Sequence, residues 1–233
     1  MLDLKICAGC GDRAEVPVVA EPEPVLVCQV CGHRRPFLRL PMFALTGPSG
    51  AGKSTVGPEL ARVLAEHVVV LEQDVLWTGA LREDVDGHPA FRSTWLRMAG
   101  MIQQNGRPVV LCGTVVPPEF EPLPERVFFS EIRYLALVAE PEALDRRLRA
   151  RPAWREWSPE RIEEMLEFND WLRAEAASLR PPVRLFDTTH ASLGEAVAVA
   201  RDWVLDGLAD AGVTTASADH SPATPARIPA GPG

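Results

Sequence analysis

At 233 residues, 46% of them hydrophobic and 24% charged, the chain is long enough for one sizeable α/β core with something small beside it. Its formal net charge of −8 argues against non-specific binding to nucleic acid or to an anionic membrane. Residues 1–7 lack the apolar run of a signal peptide, and no stretch approaches the ~20 apolar residues of a membrane helix. A cytoplasmic protein with reduced thiols is therefore expected, in which paired cysteines suggest a metal before a disulfide.

Residues 1–40 read as a unit of their own. Cys7-Ala8-Gly9-Cys10-Gly11 and Cys28-Gln29-Val30-Cys31-Gly32 are two copies of C-x-x-C-G, a four-thiolate pattern for Zn²⁺. Each C-x-x-C turns two sulfurs toward one ion, and the glycine lets the turn close. Between them, Glu15 to Val27 alternates loosely and is broken by prolines, as two short strands of a zinc ribbon would be. The stretch is too short to fold on an apolar core alone, so the metal is expected to supply much of its folding energy. A redox dithiol pair and a disulfide hairpin are the competing readings. His33 is expected at the surface, and Arg34, Arg35 and Arg39 read as a solvated connection.

A second domain, 41–212, opens with Pro41–Thr46 as a buried strand. The loop Gly47-Pro48-Ser49-Gly50-Ala51-Gly52-Lys53-Ser54 follows, matching G-x-x-x-x-G-K-[ST]. A helix is expected over 55–66 with Val56, Leu60, Val63 and Leu64 on one face. Strand, glycine loop and helix together make a phosphate site, because backbone N–H groups turn inward at a helix N-terminus. Lys53 would reach the β- and γ-phosphates of ATP, and Ser54, beside Thr55, would hold Mg²⁺. Lys53 and Lys5 are the two lysines in a chain with twenty-two arginines, as expected where a compact ammonium is wanted.

Val68–Leu71 reads as strand two, buried on both faces. It runs into Glu72-Gln73-Asp74, placing Asp74 outside a strand's carboxyl end, where ligands sit in doubly wound sheets. Asp74 is the candidate to accept an acceptor hydroxyl's proton or to help hold Mg²⁺. Glu72 is second, and helix capping is the plain alternative. Residues 78–90 read as a mobile loop. A core-facing helix follows from Phe91 to Gln104, in which Trp95, Arg92 or Arg97 could touch substrate. Strand three, 108–112, contains Cys112 as a small buried residue and ends in Gly113-Thr114, without the usual Walker B carboxylate.

Residues 116–124 read as a proline-punctuated loop and 133–138 as strand four. Arg146, Arg147, Arg149, Arg151 and Arg155 cluster on and after the next helix, and another amphipathic helix is expected over 166–179. Such a pair could close over phosphates, with Arg147 and Arg151 neutralising transition-state charge. The alternative is a solvated pair with Glu156, Glu160, Glu163 and Glu164 as ionic partners. Strand five, 183–186, runs into Asp187-Thr188-Thr189, a closing helix spans 193–208, and 213–233 reads as a disordered tail.

From Phe43 to Leu208 the order of parts resembles the small P-loop kinases, which include nucleoside monophosphate, gluconate and shikimate kinases. Gly47 to Thr55, Asp74, the R-L-x-x-R run Arg147–Arg151, and Asp187-Thr188 are the residues that match. The resemblance implies an α/β P-loop fold with a five-stranded parallel sheet ordered 2-3-1-4-5 and ATP-dependent phosphoryl transfer. It also implies that Arg151 packs on adenine and Arg147 contacts phosphates. The expected activity is phosphorylation of a small metabolite, with nucleosides and nucleotides foremost. A nucleic-acid-end kinase gripping its strand through the ribbon is one alternative. A regulatory NTP-binding module whose ribbon docks a protein partner is another.

Overall fold

The computed structural model describes residues 3–82, 87–152, 155 and 157–213. The tail expected beyond Val213, Glu156 and the middle of the 78–90 loop lie outside the described residues.

Three short strands open the chain: β1 (Val19–Ala20), β2 (Val25–Val27) and β3 (Arg34–Pro36), antiparallel in that order. Arg34 and Arg35 thus lie on a strand rather than in a connection, with Arg35 opposite Leu26. Arg39 is ion-paired to Glu21 at 2.7 Å. Each cysteine knuckle closes through a backbone bond, Gly11 N–H to Cys7 O and Gly32 N–H to Cys28 O, both 2.9 Å. Gly11 (φ +79°) and Gly32 (φ +70°) lie in the left-handed region this closure needs.

The second sheet contains β4 (Met42–Thr46), β5 (Val69–Glu72), β6 (Val109–Cys112), β7 (Ile132–Val138) and β8 (Val183–Asp187). All pairings are parallel and the order is β5-β6-β4-β7-β8, which is 2-3-1-4-5 counted within this sheet. β4 is central and wholly buried. β5 is an edge strand and only half-buried, which corrects the expectation that it is covered on both faces.

The helices are α1 (Lys53–Val63), α2 (Gly79–Arg82), α3 (Pro89–Gln103), α4 (Pro117–Phe120), α5 (Pro141–Arg149), α6 (Pro159–Glu175) and α7 (Leu193–Asp210). Strand alternation sends Phe43 and Leu45 to one face, where Val56 and Leu60 of α1 and Trp203 and Val204 of α7 cover them. Met42 and Ala44 go to the other face, under Trp95 and Leu96 of α3 and Leu172 of α6. Val63 stands 37% exposed and is not part of the inner face. The proline-rich 116–124 stretch is not a plain loop, since it winds into α4 and is followed by a 3-10 turn over Pro124–Phe128. α6 begins well before the expected residue 166. Ser158 Oγ accepts from Arg161 N–H and caps a start, Pro159–Glu164, that has three glutamates and one aliphatic side chain, Ile162.

The ribbon does not stand apart. Its Leu4, Leu26 and Phe37 belong to the same apolar cluster as Trp95, Phe128 and Met42, so residue 40 divides two architectures without dividing the core. Polar contacts reinforce the join. Lys5 Nζ donates to Glu125 Oε1 at 2.8 Å, and Ser93 Oγ of α3 donates to the same oxygen at 2.8 Å. Arg97 is engaged by Asp3, which places it at this join and not at a substrate. Trp95 is buried at 1% exposure. Among the described residues no helix is long and apolar enough to cross a membrane.

Candidate active site

The loop between β4 and α1 turns on three glycines at positive φ, Gly47, Gly50 and Gly52, where a side chain would be strained. At Gly47 (φ +129°) a Cβ would collide with the Leu137 carbonyl oxygen, and at Gly50 (φ +91°) it would lie 2.9 Å from Leu144 Cδ1. Gly52 (φ +107°) leads into α1, whose first turn contains no acidic residue and no side-chain cap, with open space beside it. A helix start of this kind presents unscreened amides to an anion. Lys53 Nζ donates to the carbonyls of Gly47 (2.5 Å) and Pro48 (3.0 Å). Burial pushes its ammonium down to about 8, against the pull of Asp74 and then Glu72. Ser54 and Thr55 are exposed on the first turn.

A cleft of about 370 Å³ extends from this loop and is lined by Lys53, Ser54, Arg147, Arg151, Thr188 and Leu193, among others. The glycine cradle, the amides at the helix start, the lysine and an exposed hydroxyl are the donor set that a Mg²⁺–triphosphate requires. Arg147 lines this cleft and also braces it. Its guanidinium donates to Thr188 Oγ1 at 3.1 Å and to Thr188 O at 2.7 Å, tying the segment after β8 to the phosphate loop. Arg151 lies over the Trp157 ring at 5.3 Å, with Arg161 on that ring at 4.6 Å. Ser49 N–H contacts Met165 Sδ at 3.4 Å, so α6 also rests on the loop. Arg149 pairs with Asp145 one turn back, and Asp187 pairs with Arg173.

Asp74 sits on a 3-10 turn, Gln73–Leu76, directly after β5, and is exposed. Glu72 beside it has its carboxyl raised above the usual range by burial and then by Asp74. Asp74 borders a second cavity of about 250 Å³ that Trp77, His88, Phe91, Arg92 and Thr114 also line. Sequence reasoning missed Gln73, Trp77 and His88. Gln73 Oε1 accepts from Thr114 N–H at 2.7 Å, and its side chain lies where a Cβ on Gly113 would stand. The Walker B position is therefore a glycine because Gln73 roofs it. Cys112 just before it is buried, and burial pushes its thiol up to about 12.

In the N-terminal unit the Sγ atoms of Cys7, Cys10, Cys28 and Cys31 all lie within 4.8 Å of one another. The Cys7–Cys31 and Cys10–Cys28 separations are both 3.7 Å. A tetrahedron with metal–sulfur bonds of about 2.3 Å has edges of about 3.8 Å, so the donor set fits a four-thiolate ion. The amides of Cys10 and Gly9 pull Cys7 down to about 6. Cys10 is pushed up to about 12 by Cys31 and its other neighbours, although the Asp12 amide favours its thiolate. Four thiolates this close cannot coexist without a cation.

A family model described as an AAA domain matches residues 42–170, more than half of the chain. The chain belongs to this AAA-domain family. The match begins with β4 and ends in α6, so it takes in the phosphate loop, Asp74, the aromatic cavity and both arginines. A shikimate kinase from Chlorobaculum tepidum is 40% identical over 76 residues, which are 31% of this chain and 40% of that enzyme. A sugar kinase from Janibacter sp. HTCC2649 shares the fold with a TM-score of 0.51 at 15% identity, over 77% of this chain and 99% of that one. A gluconokinase from Sinorhizobium meliloti 1021 aligns with a TM-score of 0.48 at 22% identity, over 74% and 94%.

Proposed function

We propose that the protein is an ATP-dependent kinase of a small hydroxyl-bearing metabolite, within the nucleoside and nucleotide class. The observation that carries this reading is the pairing of two cavities. One wraps the phosphate loop, and the other, bordered by Asp74, opens beside it at the ends of β5 and β6. The electrostatics tie them together, since Lys53 and Arg151 both feel the Asp74 carboxylate.

In this reading the amides of residues 47–55 and the Lys53 ammonium cradle the β- and γ-phosphates. Mg²⁺, held through Ser54, would offset phosphate charge. Asp74 orients the acceptor hydroxyl and takes its proton as the oxygen bonds to the γ-phosphorus and the bridging P–O bond to ADP breaks. Arg151 faces the cleft and stabilises the charge on the transferring group, while Arg147 keeps the Thr188 segment and the loop in register. The knuckles of residues 1–40 hold one structural Zn²⁺, and the enzyme works in the cytoplasm. Residues 41–212 form the catalytic domain. The acidic net charge and the shared core favour a small-molecule acceptor over a nucleic-acid end.

Mass-spectrometric detection of phosphorylated product, with ATP, Mg²⁺ and a panel of nucleosides, nucleotides, sugars and sugar acids, tests the proposal. Asp74→Asn is expected to lower turnover by about 10²–10⁴-fold while ATP affinity holds within a few-fold. ATP binding with no phosphorylated acceptor anywhere in the panel would refute it.

A further inference from the structure

The cavity beside Asp74 combines features that together define a ligand. Arg92 Nη2 lies 2.5 Å from Glu119 Oε1, with the two side chains 16% and 31% exposed. Glu119 Oε2 is buried without a hydrogen-bond partner. Burial raises the Glu119 carboxyl, and Arg92 is the first group to pull it back. If Arg92 swung to a ligand's carboxylate or phosphate, Glu119 would lose its counter-ion while still half-buried, an expensive exchange. Asp74, on the rim, repels the same anion. Among the described residues, with Arg92 and Glu119 cancelling, Asp74 leaves the cavity one net negative charge.

The rest of the lining is aromatic. Trp77 meets His88 edge-on at 4.7 Å and Phe91 edge-on at 5.0 Å, and the indole stays 37% exposed. A large apolar face left open in a cavity is a platform for a ring. His88 holds its place at φ +52°, the one non-glycine positive φ among the described residues. Such strain persists where the surroundings enforce it, and it clusters at ligand sites. Its Nδ1 is buried without a partner, and the Thr114 side chain is exposed at the same cavity. Both can bond a neutral polar edge.

We infer that this cavity takes an uncharged, ring-bearing alcohol, a nucleoside being the type, and that Glu119, by holding Arg92 in an ion pair, withholds the cation an anionic acceptor would need. The inference rests on the kinase reading for the fate of the alcohol, but not for its binding.

The test is calorimetric binding to the full chain with a non-hydrolysable ATP analogue and Mg²⁺ filling the phosphate cleft. Four ribonucleosides are compared with their 5′-monophosphates, and hexoses with the corresponding sugar acids. At least one uncharged member is expected to bind ten-fold or more tightly than its anionic partner, and the nucleoside and hexose arms identify the ring. Glu119→Gln frees Arg92 and is expected to shrink that ratio at least ten-fold. Arg92→Met/Glu119→Leu, which removes both charges and covers the case where Glu119→Gln does not fold, is expected to keep it. Tighter binding of the anionic members, no binding of any member at 10 mM, or an unchanged ratio in folded Glu119→Gln overturns the inference. Phosphorylation of an anion would do so while leaving the kinase standing. An uncharged ligand that binds but is never phosphorylated would do the reverse.

Discussion

Lys53 is held at a cost that its removal should reveal. Its amine titrates at about 8 where an ordinary lysine titrates at 10.5, and at 1.36 kcal/mol per pH unit that gap is about 3 kcal/mol against the charged form. Lys53→Met removes this penalty but also the two bonds to the Gly47 and Pro48 carbonyls, worth about 1 kcal/mol each. The variant should therefore be more stable at pH 7 by about 1 kcal/mol, or about 2–4 °C in Tm for a chain of this size. Because the folded pKa lies below the unfolded one, the wild-type penalty is complete below pH 8. It is relieved between pH 8 and 10.5, so the advantage of the variant should vanish by pH 10. The assay is thermal unfolding without nucleotide at pH 7 and pH 10, alongside turnover, which should fall by about 10²–10³-fold. A variant less stable at pH 7, with a difference independent of pH, would refute the reasoning.

Three further outcomes follow from the packing. Gly113→Ala drives a methyl into the Gln73 side chain and should lower stability by about 1–3 kcal/mol, measured by urea unfolding, with nucleotide affinity in the folded fraction unchanged. Lys5→Met leaves Glu125, 1% exposed, buried without its cation and should lower stability by about 3–5 kcal/mol, whereas Lys5→Met/Glu125→Leu should recover most of that loss. Purified protein should contain one zinc per chain by elemental analysis. Chelation should lower its Tm, and Cys10→Ser should bind the metal at least ten-fold more weakly.

What could be read from the chain was what is local to it. The phosphate loop and the knuckles announce themselves because a few consecutive residues fix each conformation, and Gly47, Gly50, Gly11 and Gly32 all stand at positive φ. Helices with a steady apolar period, such as α7 with its Ser192–Glu195 capping box, are equally plain. Contacts between distant segments leave no such trace. Nothing near Arg97 hints that Asp3, 94 residues away, will claim it. The missing carboxylate after β6 was visible, but Gln73, the side chain that fills the space, was not, because it comes from the neighbouring strand's end. β5 reads as buried from its own composition, yet its exposure is decided by which strand lies at the sheet's edge.

One consequence of the shared core concerns inheritance. Phe37 meets Phe128 edge-on at 6.5 Å, and Leu4 Cδ1 lies 3.4 Å from the point where a Cβ on Gly100 would sit. A shuffled gene that began at Pro41 would carry an apolar scar on α3 and a stranded Glu125. A substitution at Leu4 or Phe37 therefore bears on α3, the helix that holds Phe91 and Arg92 at the aromatic cavity.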